Sequence, residues 1–194
     1  MYIILQGHNY RYEISEFLKL FSSEFSFIEC SEDFGVNREG ELLVNKLELD
    51  RASDRVRILT KSQVYKEGQL IYERELSQDI DLVDYEKKFA KIKKKIDNDI
   101  KTISKRLIQR SMFDYLSDKY DANVPWGILT GIRPVKLIHS LMDQGKTDQE
   151  ISDIMKKEYL ISQEKLNLIM DIAKRERPFI YPTSEDKISL YLSI

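Results

Sequence analysis

The feature of the sequence that most restricts its fold is a change in hydrophobic period near residue 80. Between Leu43 and Leu76 apolar and polar residues alternate, most regularly from Val56 to Val64. A period of two is typical of a strand with one buried and one solvated face. After the change, apolar residues recur every three or four positions from Tyr85 to Leu116, which predicts a helix. The sequence therefore indicates an α+β fold, in which an antiparallel meander is followed by a long charged helix.

The segment before the meander has the pattern strand, helix, strand. Residues 1–5 form a short apolar run, apolar residues recur at helical spacing between 10 and 21, and a second apolar run follows at 25–28. This order predicts a small β-α-β unit. Together with the meander, it forms a predicted α+β domain over residues 1–80.

The second predicted region, residues 81–122, is one long helix or a pair of helices, because its apolar stripe shifts at Ile108. One face is basic and suits the phosphate backbone of RNA. We favour a solvated face, since acidic residues are interspersed and no aromatic residues alternate with the cations. The net charge of -2 also gives no overall attraction to nucleic acid. The basic residues are Lys87, Lys88, Lys91, Lys93, Lys94, Lys95, Lys101, Lys105, Arg106 and Arg110.

A Gly/Pro-rich loop, residues 124–136, follows the long helix. It holds the only Trp of the chain, two of its seven Gly and two of its four Pro. Glycine permits unusual backbone angles and proline fixes them, so this loop should have a defined shape. One interpretation is a recognition surface; the other is an elbow that tucks Trp126 into a core. The candidate binding residues are Trp126, Thr130, Gly131, Arg133 and Lys136.

Three short helices are predicted within residues 123–182, a region that also includes the loop. Gly145 should end the first helix, Thr147 and Glu150 form a capping box for the second, and Ser162 caps the third. Pro178 and Pro182 should end the third helix. Residues 183–194 alternate as a final strand with nothing after it. A strand needs partners, so we expect a further domain to follow.

Composition excludes several classes of site and segment. The chain has one cysteine, Cys30, and two histidines, too few for an ordinary zinc or iron–sulfur site. His139 lies beside an apolar stripe, so we interpret it as structural. No apolar run is long enough to span a membrane, and the N-terminus has no signal-peptide pattern. We therefore expect a cytoplasmic protein without a membrane span.

The loop and the joint after it are similar to a known family. The segment 129–136, LTGIRPVK, is followed by a helix, by Gly145 and Lys146, and by the joint YLIS at 159–162. This resembles the N-terminal region of HemZ-type coproporphyrinogen dehydrogenases. These are oxygen-independent coproporphyrinogen III oxidase-like radical S-adenosylmethionine (radical-SAM) proteins. The resemblance covers about residues 124–194. It implies that residues 183–194 are the first strand of a radical-SAM barrel.

The resemblance also implies an activity for the intact protein, the oxidative decarboxylation of two propionates of coproporphyrinogen III in haem biosynthesis. The implied cofactors are a [4Fe-4S] cluster and S-adenosylmethionine. This chain alone should hold neither and should contain no catalytic residue, since it has one cysteine.

The role that the resemblance implies for this chain is an accessory N-terminal domain that contacts its own C-terminal barrel and the tetrapyrrole substrate. Arg133 suits a bidentate carboxylate contact, Lys136 a point charge, and Trp126 stacking on a pyrrole. Two alternatives stay open: an RNA-binding module of a related radical-SAM enzyme, and a purely structural domain that packs on the barrel.

Overall fold

The computed structural model describes residues 1–29, 40–82, 92–130 and 133–180, which fall into two compact units, Met1–Val124 and Pro125–Ile194. Within these residues lie five strands in one mixed sheet and five α-helices, which confirms the predicted α+β class. The first unit contains β1 (Tyr2–Gln6), α1 (Arg11–Leu18), β2 (Ser26–Phe27), β3 (Glu41–Arg51), β4 (Arg55–Lys66), β5 (Gln69–Asp81) and α2 (Ile92–Tyr120). The second contains α3 (Pro134–Asp143), α4 (Asp148–Tyr159) and α5 (Gln163–Ile180).

The sheet has the strand order β2-β1-β3-β4-β5. β1 is parallel to both of its neighbours, with Ile3 opposite Phe27 of β2 and Leu43 of β3. β3, β4 and β5 form an antiparallel meander. The predicted β-α-β unit and the predicted meander are both confirmed, and β1 joins them by lying between β2 and β3.

The meander is buried on one face only, as the alternation predicted. On the outer face, Arg57 Nε lies 3.7 Å from Asp79 Oδ1, and Lys61 Nζ lies 3.0 Å from Glu73 Oε2. These ion pairs join β4 to β5 across a solvated surface, where each contributes little to stability. The buried residues of β4 are Val56, Ile58, Thr60, Ser62 and Val64.

The long helix α2 covers the buried face of the meander. It is continuous over the 29 residues from Ile92 to Tyr120, and it buries Leu107, Ile108, Met112 and Leu116 against the sheet. Its apolar stripe therefore faces the strands, as its spacing predicted. Residues 83–91, on which the predicted start of the helical stripe falls, lie outside the described residues.

A polar seam crosses the interface between the sheet and α2. Asn45 Nδ2 donates to Ser62 Oγ at 2.7 Å and to Thr60 Oγ1 at 3.3 Å. Ser62 Oγ and Ser111 Oγ share a hydrogen bond of 2.7 Å, and Ser111 Oγ also donates to the Ile108 carbonyl at 2.8 Å. The four polar side chains are completely buried. A satisfied network of this kind specifies how the helix sits on the sheet.

His8 extends this seam to the loop between β1 and α1. Because Asn45 Nδ2 donates to two hydroxyls, its Oδ1 accepts from His8 Nε2 at 2.8 Å. His8 Nδ1 accepts from the Tyr10 N–H at 3.4 Å. Both ring nitrogens are therefore used by the neutral imidazole. Burial lowers the pKa of His8 below its ordinary value of 6.5, although the hydrogen bond with Asn45 opposes this.

In the second unit, α3, α4 and α5 enclose a separate hydrophobic core. The predicted capping box begins α4, where Thr147 N–H donates to Glu150 Oε2 at 2.8 Å and Glu150 N–H donates to Thr147 Oγ1 at 3.3 Å. Gly145 follows α3 with a φ of 75°. Ser162 Oγ accepts from the Lys165 N–H at 3.3 Å. The core residues are Ile138, Leu141, Ile151, Met155, Ile161, Leu166, Ile169, Met170 and Ala173.

The prediction that Pro178 ends the last helix is wrong, since α5 continues to Ile180 with Pro178 inside it. A proline removes one main-chain hydrogen bond to the fourth preceding residue, and so close to the helix end little else is lost. No helix in the part of the chain that is described is long and apolar enough to cross a membrane. The predicted strand at 183–194 and Cys30 both lie outside the described residues.

The polar seam should make the first unit sensitive to mild acid. The folded state favours neutral His8, because the pKa of His8 is lowered there. The contribution of His8 to the free energy of unfolding is therefore complete above its ordinary pKa, and it falls as the pH drops below that value. Between about pH 7.5 and 5.5 the free energy of unfolding should decrease in the natural chain and change less in His8→Gln. Urea unfolding, followed by NMR amide signals of β3 and β4, measures this. An equal slope in both proteins would contradict the assignment.

Removing one hydroxyl from the seam should destabilise the first unit. Ser111→Ala leaves the buried Ser62 hydroxyl without its acceptor on the helix, which should reduce the free energy of unfolding by about 1–3 kcal/mol. Thr102→Ala is the matched control on the same helix, because the Thr102 hydroxyl is exposed and bonds only the Asn98 carbonyl. It should change stability by less than about 0.5 kcal/mol. Similar effects of both substitutions would show that the seam has no special role.

Candidate functional site

The loop before α3 is attached to the joint between α4 and α5. The Ile128 N–H donates to the Tyr159 carbonyl at 3.0 Å, and the Ser162 N–H donates to the Pro125 carbonyl at 2.9 Å. Each bond crosses from the loop to the joint, one in each direction. The part of the predicted Gly/Pro-rich loop before Gly131 therefore has a fixed shape within its own unit.

Gly127 makes this attachment possible. Its φ is 57°, and a Cβ at this position would lie 2.1 Å from the Tyr159 carbonyl oxygen and 2.5 Å from the Leu160 carbonyl carbon. Leu160 has a left-handed conformation itself, with a φ of 57°. Only glycine provides both the backbone angle and the close approach.

Trp126 and Thr130 belong to the anchored part of the loop. Trp126 is half-buried and packs against the core of the three helices, and Lys165 Nζ lies 5.9 Å from its ring centroid. Thr130 is half-buried, and its N–H donates to the Ile128 carbonyl at 2.9 Å. The elbow interpretation therefore describes the environment of Trp126. Gly131 lies outside the described residues.

Arg133 and Lys136 lie together at the start of α3. Arg133 precedes the helix in an extended conformation, Pro134 occupies the first turn, and Lys136 N–H donates to the Arg133 carbonyl at 3.1 Å. Both residues are exposed. Among the described residues, neither side chain has a hydrogen-bond or ion-pair partner. The main-chain hydrogen bond between them keeps the two residues within one turn at the start of α3.

The start of α3 is electrostatically positive for a second reason. Its first turn contains no acidic residue, and no side chain caps it. The N–H groups at a helix N-terminus carry a partial positive charge. Two cations next to such a terminus suit a carboxylate or a phosphate. We call Arg133, Lys136 and the first turn of α3 the cationic helix start.

Several other cations of the same unit pair with carboxylates. Arg175 Nε lies 2.9 Å from Asp171 Oδ2, and Arg177 Nη2 lies 2.9 Å from Asp143 Oδ1. Lys146 pairs with Glu150, and Lys174 pairs with Asp148. Arg133 and Lys136 differ from these four cations, whereas the exposed Lys156 and Lys157 of α4 likewise have no anionic partner among the described residues.

The basic face of α2 is partly neutralised where it is described. Lys105 pairs with Glu13 of α1, and Arg106 Nη2 donates to Gln78 Oε1 at 2.7 Å. Burial raises the pKa of Glu13, but the bond to Lys105, a main-chain hydrogen bond and the charges of Lys105 and Lys101 together outweigh this and hold the pKa below the ordinary value. The charge of Lys105 is therefore compensated by a carboxylate, whereas the Gln78 amide that binds Arg106 carries no charge.

Sequence reasoning grouped Trp126 with Arg133 and Lys136, and the structure shows different environments for them. It also missed Lys165, whose position over the indole depends on the joint between α4 and α5. No local pattern identifies a contact between residues 39 positions apart. His139 is buried, with Nε2 3.6 Å from Glu176 Oε2 of α5. Within the described ranges, no group of three His, Cys, Asp or Glu residues is arranged to hold a metal ion.

Comparison with known proteins gives one partial similarity in sequence. Over 72 residues the chain is 40% identical to the "Oxygen-independent coproporphyrinogen-III oxidase-like protein HemZ" of Bacillus subtilis (strain 168). The alignment covers 36% of this chain and 14% of that protein, so the chain spans only a small part of its relative. This similarity points to HemZ-like proteins over a limited region. No family model matches the chain.

Among solved structures, the chain is similar to the hypothetical protein CT253 from Chlamydia trachomatis. The two share 12% sequence identity, with a TM-score of 0.33 over 60% of this chain and 95% of that one.

The anchoring of the loop can be tested with two glycines that both have positive φ. Gly127→Ala meets the Tyr159 carbonyl, whereas a Cβ on Gly145 meets nothing within 4 Å. We expect Gly145→Ala to reduce the free energy of unfolding by about 1–2 kcal/mol, because alanine disfavours the positive φ. Gly127→Ala should reduce the free energy of unfolding by at least about 2 kcal/mol more than Gly145→Ala does, because its Cβ also meets the Tyr159 carbonyl. Trp126 is the only tryptophan of the chain, so urea unfolding followed by its fluorescence reports on this unit. Equal costs for the two variants would contradict the close approach.

Proposed function

We propose that this chain is an accessory region of a HemZ-like radical-SAM oxidoreductase that acts on coproporphyrinogen III in haem biosynthesis. In this proposal, the cationic helix start binds a propionate carboxylate of the tetrapyrrole. The observation that supports this proposal is that two cations, Arg133 and Lys136, lie at the start of a helix that no side chain caps. Neither has an anionic partner among the described residues. The partial identity with HemZ supplies the kind of substrate.

The chemistry of the two side chains suits this ligand. A propionate carboxylate is a planar acceptor, and the guanidinium of Arg133 can donate two parallel hydrogen bonds to it. Lys136 adds a point charge within the same first turn of α3. The part of the loop before Gly131 is attached by main-chain bonds, which reduces the conformational entropy that this part would lose when the carboxylate binds.

The other loop residues have supporting roles in this proposal. Trp126 packs on the core and under Lys165, so we assign it to holding the loop rather than to stacking on a pyrrole. Thr130 and Gly131 connect the anchored turn to Arg133.

The implied cofactors do not fit this chain. A radical-SAM [4Fe-4S] cluster needs three closely spaced cysteine thiolates, and the sequence has Cys30 alone. We therefore assign the cluster, S-adenosylmethionine and the oxidation to a barrel elsewhere in a longer cytoplasmic protein. The chain's own residues would bind and orient the substrate.

A structural role is the second candidate. It is favoured by the anchored loop and by the packing of Trp126, since both features are expected of a segment that only supports a neighbouring domain. The two candidates differ in what they require of Arg133: only the substrate-binding role requires its guanidinium.

Binding of coproporphyrin III, the stable oxidised form of the substrate, distinguishes them. Arg133→Ala should weaken binding about tenfold or more, because a charge-assisted bidentate pair is lost. Arg133→Lys should retain part of the affinity, since the charge remains without the fork. The measurement is an absorbance titration of the full chain at fixed salt.

Arg175→Ala is the matched control, because Arg175 is also exposed to solvent but already pairs with Asp171. It should leave the affinity unchanged. If Arg133→Ala and Arg175→Ala behave alike, the carboxylate contact is wrong and the structural role is preferred. Tight binding of tRNA that falls steeply with salt would instead support the RNA-binding alternative.

A further inference from the structure

A second candidate site lies in the first unit, far along the chain from the cationic helix start. A groove of about 1300 Å³ runs between α1 and the edge strand β2. One wall is formed by α1, another by residues 25–29, and the third by the loop that follows β1. In open sheets with parallel strands, ligands bind in crevices outside the carboxyl ends of the strands. The groove includes the carboxyl ends of β1 and β2, the two parallel strands that α1 connects.

Three aromatic side chains, Tyr12, Phe25 and Phe27, line the groove. Phe25 and Phe27 are in edge-to-face contact, with centroids 5.9 Å apart. Tyr12 of α1 is 73% exposed on the opposite side. Aromatic rings exposed in a concave surface favour flat ligands, because stacking recovers apolar area at a low entropic cost.

Arg11 supplies a positive charge in the groove. Its guanidinium carbon lies 4.9 Å above the centroid of Phe27, which orients the planar group. The two lysines near it are paired, Lys19 with Glu16 and Lys105 with Glu13. Arg11 has no carboxylate partner among the described residues. A stacked guanidinium keeps its N–H edge available for a carboxylate or phosphate.

The remaining polar groups limit the charge of the ligand. His8 lines the groove, but its two ring nitrogens are engaged by Asn45 and by the Tyr10 N–H. Glu29 is the acidic residue of the lining whose charge no described cation balances. A ligand with several separate anionic groups would be repelled by Glu29, whereas a single anionic group can reach Arg11.

We propose that this groove binds a small ligand in which a flat heteroaromatic ring carries one phosphate or carboxylate group. The ring lies among Phe27, Phe25 and Tyr12, and the anionic group accepts hydrogen bonds from Arg11. This site is independent of the proposed function, since it uses other residues in the other unit.

The test uses adenosine monophosphate as the probe and the full isotope-labelled chain. Amide signals of α1 and of residues 25–29 should shift on titration, with a dissociation constant in the millimolar range or tighter. Arg11→Ala should weaken binding about tenfold. Arg57→Ala is the matched control, because this arginine lies on the solvated face of the sheet beside Asp79. It should leave binding unchanged.

Two partial ligands test the two halves of the proposal. Adenosine and inorganic phosphate should each bind more weakly than the monophosphate. If adenosine binds as tightly as the monophosphate, the proposed role of Arg11 is wrong. If phosphate binds as tightly as the monophosphate, the proposed role of the rings is wrong. The absence of shifts up to about 10 mM probe overturns the site. If Arg11→Ala disturbs the spectrum elsewhere, Phe27→Leu replaces it and should weaken binding by loss of stacking.

Discussion

The arrangement of the first unit depends on the hydrogen bonds that Asn45 makes in its core. This amide is completely buried at the centre of β3 and bonds two hydroxyls of β4 and the imidazole of His8. Through Ser62 the same network reaches Ser111 of α2. Hydrophobic contacts alone would allow α2 to slide or rotate on the sheet, since apolar packing has little directionality. The network removes that freedom, because any shift leaves a buried polar group unsatisfied.

The same network links the fold to the proposed groove. His8 is held by Asn45 on one side and accepts the Tyr10 N–H on the other, directly before α1 begins at Arg11. The position of α1 relative to β1 is therefore set by the core, and with it the position of Arg11 over Phe27. A binding surface built on elements that the core positions is more precise than one on a free loop.

The sequence predicted what depends on periodicity and on local capping. The alternation from Val56 to Val64 predicted a half-buried strand, and Thr147 and Glu150 predicted the start of α4. Both predictions depend on residues close together in the chain. What could not be predicted depends on long-range contacts. The residues next to Gly127 in the sequence do not show that its backbone lies against the Tyr159 carbonyl. The residues next to Trp126 in the sequence do not show that Lys165 lies over the indole. The candidate loop was found from its composition, but its division into an anchored part and an exposed cationic part was not.

Arg11 and Arg133 have a physical feature in common that strengthens both proposals. Each lies at the beginning of a helix, where the partial positive charge of the N–H groups disfavours a cation. An arginine there is slightly unfavourable for the isolated helix, and neither has a described carboxylate to offset this. Other cations of the chain, such as Arg175 and Lys105, have such partners. The contact of Arg11 with the Phe27 ring offsets part of this cost, whereas no described contact does so for Arg133. At either position, an anion shared by the guanidinium and the helix N-terminus would convert the unfavourable interaction into a favourable one. Because binding sites commonly retain local arrangements that stability alone would disfavour, the two helix starts are the positions at which an anionic ligand is best sought.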